Sequence, residues 1–82
     1  MSHLAGAVRP KSIADQIEEL DYALTVKGLA QRLRVSGTWL YNRARSGTMG
    51  RAVIRMGGTI RFDPYWTAQW IRSQEQNPDQ KP

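Results

Sequence analysis

The sequence predicts a small domain that is mainly α-helical, with one short β-hairpin and an additional helix near its N-terminus. Apolar residues recur at helical spacing in four segments, and two short alternating runs meet at Gly57-Gly58. A chain of 82 residues has room for one domain, and a domain of this size buries only roughly 60% of its unfolded surface. We place that domain at residues 12–72 and expect the polar tails, 1–11 and 73–82, to be disordered.

Composition argues against several classes of protein. The chain has no cysteine, which excludes disulfides and thiolate metal sites. No apolar run approaches the roughly 18 residues of a membrane span, and residues 1–12 lack a signal-peptide core. The single histidine, His3, lies in a tail. We therefore expect a soluble cytoplasmic protein that is not an enzyme and uses no metal, cofactor, small-molecule substrate or membrane.

The positive charge of the chain is concentrated in one block. The net charge is +5, and no Asp or Glu lies between Tyr22 and Phe62. All seven acidic residues lie outside that block. Such segregation favours a polyanionic partner over a merely solubilising basic surface. The basic residues of the block are Lys27, Arg32, Arg34, Arg43, Arg45, Arg51, Arg55 and Arg61.

The first helix is predicted to be amphipathic and acidic, from Ser12 to Asp21. Ser12 followed by Asp15 resembles a capping box. Apolar residues then recur at helical spacing, and the carboxylates lie elsewhere on the helical wheel. We expect this helix to pack on the core, and its acidic side is a candidate contact for another protein surface. The apolar positions are Ile13, Ile17, Leu20 and Leu24.

Two further short helices are predicted around the tight turn VSG. Thr25 is a suitable N-cap for VKGLAQRLR, and Ser36 is a suitable N-cap for GTWLYNRAR, which ends at Ser46-Gly47. Gly28 weakens the first of these helices by about 1 kcal/mol relative to Ala, so a packing reason or a frayed first turn is expected. Two such helices form a helix-turn-helix, whose second helix can enter a DNA major groove.

The second helix of that pair has a buried side and a hydrogen-bonding side. Leu40 and Ala44 define the buried side. Asn and Arg suit the edges of adenine and guanine because each can form two hydrogen bonds at once. An ordinary polar outer face is the alternative. We expect Arg43 to reach phosphate and Trp39 to be a packing residue or subunit contact. The predicted base-facing residues are Thr38, Tyr41, Asn42 and Arg45.

The hairpin reads as a ribbon with arginines near its tip. Apolar residues alternate with polar ones on both sides of Gly57-Gly58, a pair that suits a tight two-residue turn. We expect Ile54, Met56, Ile60 and Phe62 to face the core and Arg55, Thr59 and Arg61 to face outward. A hairpin that only covers the core is the alternative, but a slim tip between two cations favours phosphate or minor-groove contact.

The last helix is predicted to begin at Asp63-Pro64. Asp is a good N-cap, and proline is favoured at the first helical position. In YWTAQWIR, Trp66 and Trp70 lie four residues apart. We expect one of them to close the core and the other to stay exposed as an interaction surface.

Taken together, LTVKGLAQRLRVSGTWLYNRARSGTMGRAVIRMGGTIRFDPYWTAQWI resembles the excisionase-like, MerR-type winged helix-turn-helix family. The resemblance covers residues 24–71. The family pattern joins an L-T-x-x-x-[AV]-A-x-x-L-x-V-S segment to a recognition helix, an arginine-bearing strand with a Gly turn, and a final helix ending in Trp-[LI]. The matching positions are Leu24, Thr25, Ala30, Leu33, Val35, Ser36, Leu40, Tyr41, Gly47, Arg55, Gly57, Arg61 and Trp70.

The resemblance implies a winged helix-turn-helix that acts as a phage excisionase, a recombination directionality factor on the nucleoid of a bacterial host. Its partners would be double-stranded DNA at tandem attachment-site repeats, further copies bound head to tail, and a tyrosine integrase. A regulator of the AlpA type and an RNA-binding module are the alternatives. The predicted contacts are Thr38, Tyr41, Asn42, Arg43 and Arg45 on the recognition helix, Arg55, Gly57, Gly58, Thr59 and Arg61 on the wing, and Arg34 on phosphate.

Overall fold

The chain is mainly helical, with one two-stranded antiparallel hairpin. This computed structural model describes residues 11–75, and the predictions about segments 1–10 and 76–82 lie outside that range. No helix among residues 11–75 is long and apolar enough to cross a membrane. The elements in chain order are α1 (Ile13–Glu18), α2 (Val26–Leu33), α3 (Gly37–Arg45), a 3-10 turn (Gly50–Ala52), β1 (Val53–Met56), β2 (Thr59–Phe62) and α4 (Pro64–Glu75).

Each helix begins directly after the residue that the sequence predicts as its N-cap. In every case a side-chain oxygen accepts a hydrogen bond from a backbone N–H of the first turn, which satisfies a donor that has no partner within the helix. Ser12 and Asp15 also form the reciprocal capping box. The four capping pairs are Ser12 with Asp15 at 3.1 Å, Thr25 with Gly28 at 2.9 Å, Ser36 with Trp39 at 3.0 Å, and Asp63 with Trp66 at 2.8 Å.

Gly28 has the packing reason that its sequence position suggests. A Cβ at this residue would lie 3.1 Å from the capping hydroxyl of Thr25. A larger residue here would require the Thr25 hydroxyl to shift slightly.

The helix ends differ from the predictions in three places. Helix α1 ends at Glu18 rather than Asp21, and Leu24, predicted on the apolar side of this helix, instead forms an isolated antiparallel bridge with Phe62. Helix α2 ends at Leu33, and Arg34 turns left-handed after it. Helix α4 continues to Glu75, beyond the domain boundary placed at residue 72.

The predicted faces of the hairpin are wrong for its first strand. The pairs are Val53 with Phe62, Ile54 with Arg61, Arg55 with Ile60, and Met56 with Thr59. Residues directly opposite each other in an antiparallel pair point to the same face. A two-residue turn therefore pairs even-numbered positions with odd-numbered ones, so Ile54 and Met56 cannot share a face with Ile60 and Phe62.

The consequence is that the two hairpin arginines point to opposite faces. Arg55 shares the face of buried Ile60 and Phe62, although its own side chain is exposed near the tip. Arg61 lies on the outer face with Met56, which is 58% exposed. The prediction that both arginines face outward together is therefore also wrong.

Every element except β1 contributes buried residues to the core, and Val53 of β1 packs against it partly buried. Helix α1 packs on α4, α2 packs on α3 and β2, and the 3-10 turn packs on α4. Met49 and Ala52, in the segment between α3 and β1, are buried. Gly47, with φ of 87°, ends α3 and directs the chain into this turn. The buried apolar residues are Ala14, Ile17, Leu24, Leu29, Ala30, Leu40, Ala44, Met49, Ala52, Ile60, Phe62, Ala68 and Ile71.

A three-residue ion-pair network joins α1 to α4. The Arg72 guanidinium contacts Asp15 at 2.7 Å and Glu18 at 2.6 Å. The hydrogen bond from Arg72, followed by the backbone hydrogen bond at Ser12, lowers the pKa of Asp15 below its ordinary value of 3.8. Two of the acidic side chains of α1 are therefore engaged by the chain's own last helix.

This network predicts a specific loss of stability in acid. Because the unfolded chain holds the Asp15 proton more tightly, the carboxylate stabilises the fold above pH 3.8, and this contribution is lost as the pH falls through the lower pKa of the folded state. Arg72→Gln should lower the free energy of unfolding at neutral pH, and the difference from wild type should shrink below pH 3.8. Denaturant titrations across this pH range measure both effects.

Lys11→Gln is the matched control, since it removes an ion pair to Glu19 that lies within the N-terminal segment and does not reach α4. It should leave most of the acid dependence in place. A difference between wild type and Arg72→Gln that is independent of pH would contradict the assignment to the carboxylates.

Candidate nucleic-acid interface

Helices α2 and α3 are joined by a tight turn centred on Arg34. The Arg34 N–H donates to the Gln31 carbonyl and the Val35 N–H donates to the Ala30 carbonyl, the pair of bonds that defines a Schellman motif. Arg34 has φ of 61° and ψ of 42° and is the one non-glycine residue with positive φ among residues 11–75. An arginine thus occupies a position where glycine is the residue with least strain.

The outer side of α3 carries the residues predicted for it. Leu40 and Ala44 are buried against the core, whereas Thr38, Tyr41, Asn42 and Arg45 are all exposed. The Arg45 guanidinium lies over the Tyr41 ring, 5.8 Å from its centroid. This stacking limits the directions in which the guanidinium of Arg45 can point.

Arg43 and Trp39 form a second stacked pair on the flank of α3. The Arg43 guanidinium lies 4.7 Å from the centroid of the Trp39 ring. Trp39 is 41% exposed, so it is only partly a packing residue. Together with Asn42 and Ser46, the pair lines a shallow depression of about 200 Å³. Asn42 and Arg43 therefore lie together on this flank of α3.

A cleft of about 340 Å³ separates α3 from the hairpin tip. Helix α3 contributes a phenol and a guanidinium, and the hairpin contributes a second guanidinium, a hydroxyl and backbone without side chains. A Cβ added at Gly57 or Gly58 would meet nothing within 4 Å, so this backbone is open to a ligand. The lining residues are Tyr41, Arg45, Arg55, Gly57, Gly58, Thr59 and Ile60. All except Ile60 are residues that the sequence nominates as contacts.

The other nominated residues lie outside this cleft. Thr38 is exposed on α3, and Arg34 lies in the turn before it. Arg61 is half-buried on the outer face of the hairpin, and its Nη1 donates a 3.0 Å hydrogen bond to the Ile60 carbonyl. Arg61 is therefore held by its own strand and does not share a site with Arg55.

The basic block is electrostatically uncompensated. Among residues 11–75, none of the eight Lys and Arg side chains between Tyr22 and Phe62 forms an ion pair. The basic side chains in that range that are ion-paired are Lys11 and Arg72, which flank the block. Positive charge without internal partners attracts polyanions from a distance. The same range contains no cluster of three side chains that could hold a metal ion.

An aromatic cluster at the start of α4 was not predicted from the sequence. The Arg51 guanidinium lies 5.0 Å from the centroid of the Trp66 ring, and Tyr65 meets the same ring edge-on at 5.0 Å. Trp66 is 39% exposed, while Trp70 packs against the core as one of the two tryptophans was expected to. The spacing of Arg51 from Trp66 in sequence gives no signal for this contact, because it depends on how the 3-10 turn packs on α4.

No protein-family model, curated protein or solved structure matches this chain. The resemblance to the excisionase-like family therefore rests on the sequence motif, and its functional content is a proposal.

The strained turn at Arg34 predicts an unusual effect of mutation. A left-handed backbone is disfavoured by about 1–2 kcal/mol for a side-chain-bearing residue, and glycine loses part of that gain because it makes the unfolded chain more flexible. Arg34→Gly should therefore raise the free energy of unfolding by about 1 kcal/mol. Denaturant titration measures the change.

Arg32→Gly is the matched control, because it makes the same substitution two residues earlier within α2. It should destabilise the fold by about 1 kcal/mol. Destabilisation by both variants would show that Arg34 contributes more to the fold than its backbone strain costs.

Proposed function

We propose that this chain is a DNA-binding and DNA-bending protein of the winged helix-turn-helix type. In this proposal α3 is the recognition helix and the β1–β2 hairpin is the wing. The observation that carries the proposal is the cleft between them, because six residues chosen as contacts from the sequence line it from two separate elements. The duplex is the ligand, and no catalytic residue, cofactor or metal is part of the proposal.

The chemistry of the cleft suits a duplex. Arg45 and Arg55 provide positive charge from opposite walls, and Tyr41 and Thr59 provide hydroxyl groups. Base edges are read by side chains on a helix in the major groove, whereas phosphates are held by arginines, hydroxyls and backbone N–H groups. We infer that α3 reads bases in the major groove while the hairpin contacts the neighbouring backbone and minor groove.

Within this class we propose the role of an excisionase that directs an integrase toward excision. This role comes from the family resemblance, and the geometry supports only its DNA-binding part. A single helix-turn-helix with one wing covers few base pairs, so selectivity requires neighbouring copies on the DNA. Copies joined by unlike surfaces assemble head to tail. Cooperative loading on tandem direct repeats is therefore part of the proposal, and a tyrosine integrase is the proposed protein partner.

The acidic side of α1 is a weaker candidate for the contact between copies than its sequence suggests. Asp15 and Glu18 both contact Arg72 of the same chain, and Glu19 contacts Lys11. These pairs favour the alternative role of α1, that of closing its own domain. The proposed association of copies on DNA therefore requires other surfaces.

The electrostatic part of the proposal predicts a salt dependence. The logarithm of the affinity for duplex DNA should fall linearly with the logarithm of salt concentration, by about 0.9 per phosphate contact. Arg55→Ala should flatten that slope by about one. Lys11→Ala, outside the basic block, should leave it unchanged. Fluorescence anisotropy at several salt concentrations gives the slopes, and a wild-type slope near zero would refute duplex binding through phosphates.

The base-reading part predicts a difference between two DNAs. On the best duplex recovered from a random-sequence selection, Asn42→Ala and Arg45→Ala should each lose roughly 1–3 kcal/mol of binding free energy. On unselected DNA both should bind nearly as well as wild type. Arg43→Ala, assigned to phosphate, should lose the same amount on both DNAs. Equal losses for all three variants on both DNAs would mean that α3 holds the backbone and does not read bases.

The assembly part predicts a preference for repeat orientation. On duplexes with one, two and three direct copies of the selected site, affinity per copy and DNA bend should rise with occupancy. Electrophoretic mobility of phased sites measures both. Preference for an inverted repeat, or independent binding at each site, would replace the excisionase role with that of a regulator of the AlpA type.

A further inference from the structure

The register of the hairpin leaves a large apolar side chain at its tip without a place in the core. Met56 forms the pair that closes the turn, opposite Thr59, on the outer face of the hairpin. It is 58% exposed, more than any other large hydrophobic residue in the described range. Because the core is on the other face, with Ile60 and Phe62, burial in the core does not explain an apolar side chain at position 56.

The tip is slim apart from this side chain. Gly57 and Gly58 carry none, and nothing lies within 4 Å of the positions that their Cβ atoms would occupy. Met56 and Thr59 are therefore the outermost side chains of the ribbon. A methionine is unbranched and flexible, so it can extend into a narrow space.

The surroundings of Met56 are cationic. Arg55 precedes it, Arg61 lies on the same face two pairs further from the tip, and residues 53–62 contain no acidic side chain. This combination of one leading apolar group and flanking guanidinium groups is complementary to a stack of bases between two phosphate backbones.

We propose that Met56 is a wedge that inserts between two stacked base pairs from the minor groove of duplex DNA. This inference rests on the proposed DNA binding and adds to it the residue that produces the bend. Apolar side chains inserted in this way unstack a base step and kink the duplex by roughly 20–90° toward the major groove. Arg55 and Arg61, on opposite faces of the ribbon, contact the phosphates on its two sides, and a flexible pyrimidine–purine step is the favoured point of insertion.

The test compares three variants on the selected duplex with dyes at its two ends. Met56→Ser removes the wedge, Met56→Leu keeps one, and Tyr22→Ser removes an apolar side chain of similar exposure, 55%, away from the hairpin. End-to-end energy transfer reports the bend, anisotropy reports affinity, and permanganate reactivity of thymines reports the unstacked step. Thermal unfolding should give similar midpoints for wild type, Met56→Ser and Met56→Leu, because residue 56 is exposed.

The proposal expects Met56→Ser to lose at least half of the bend and the permanganate-reactive thymine, while Met56→Leu and Tyr22→Ser keep both. A bend in Met56→Ser equal to that of wild type would overturn the wedge and leave DNA binding intact. Binding by wild type without any bend would do the same. Absence of duplex binding by wild type would instead refute the proposed function, and the wedge with it.

Discussion

The pairing of Leu24 with Phe62 is the contact on which the arrangement of the other elements depends. Two backbone hydrogen bonds, of 2.8 and 2.9 Å, join these residues. Phe62 is fully buried and also pairs with Val53 across the hairpin. One residue thus ties the segment before α2 to the hairpin and leads directly into α4. Because α2 packs on both α3 and β2, this pairing helps to position α3 relative to the hairpin.

The second constraint is the two-residue turn at Gly57-Gly58. It fixes which residues of β1 face the core, and it places Ile54 and Met56 on the other face of the hairpin from Ile60 and Phe62. The same turn separates Arg55 from Arg61. In a hairpin that only covered the core, a polar residue could replace Met56 with little loss of buried apolar surface, because Met56 is largely exposed. The proposed wedge gives the exposed methionine a function.

Local features of the fold could be predicted from the sequence, and features that depend on tertiary contacts could not. The four N-caps, the span of α3 and the buried pair Leu40 and Ala44 follow from residue preference and helical spacing, which act over a few residues. The place of Leu24 outside α1 depends on its bridge to Phe62, which lies far along the chain. Met49 and Ala52 become core residues only because the 3-10 turn packs on α4.

The candidate site divides in the same way. Residue chemistry suggested Tyr41, Arg45, Arg55, Gly57, Gly58 and Thr59, which line one cleft. Alternation along each strand does not show that Arg55 and Arg61 point to opposite faces, because this depends on the register between the two strands. The contact of Arg51 with Trp66 could not be read from spacing at all. The register itself follows from the length of the turn, so the sequence contains the information that places Arg55 and Arg61 on opposite faces.

The most direct test of whether DNA binds in the cleft between α3 and the hairpin is an NMR titration. Backbone amide chemical shifts are measured in two-dimensional spectra as duplex DNA is added. The account predicts that the amide signals of Gly57, Gly58, Tyr41 and Arg45 move together with the same binding curve, while those of Ala14 and Ile17 in α1 stay in place. Movement concentrated in α1 and the C-terminal half of α4, with the glycine amides unchanged, would contradict it.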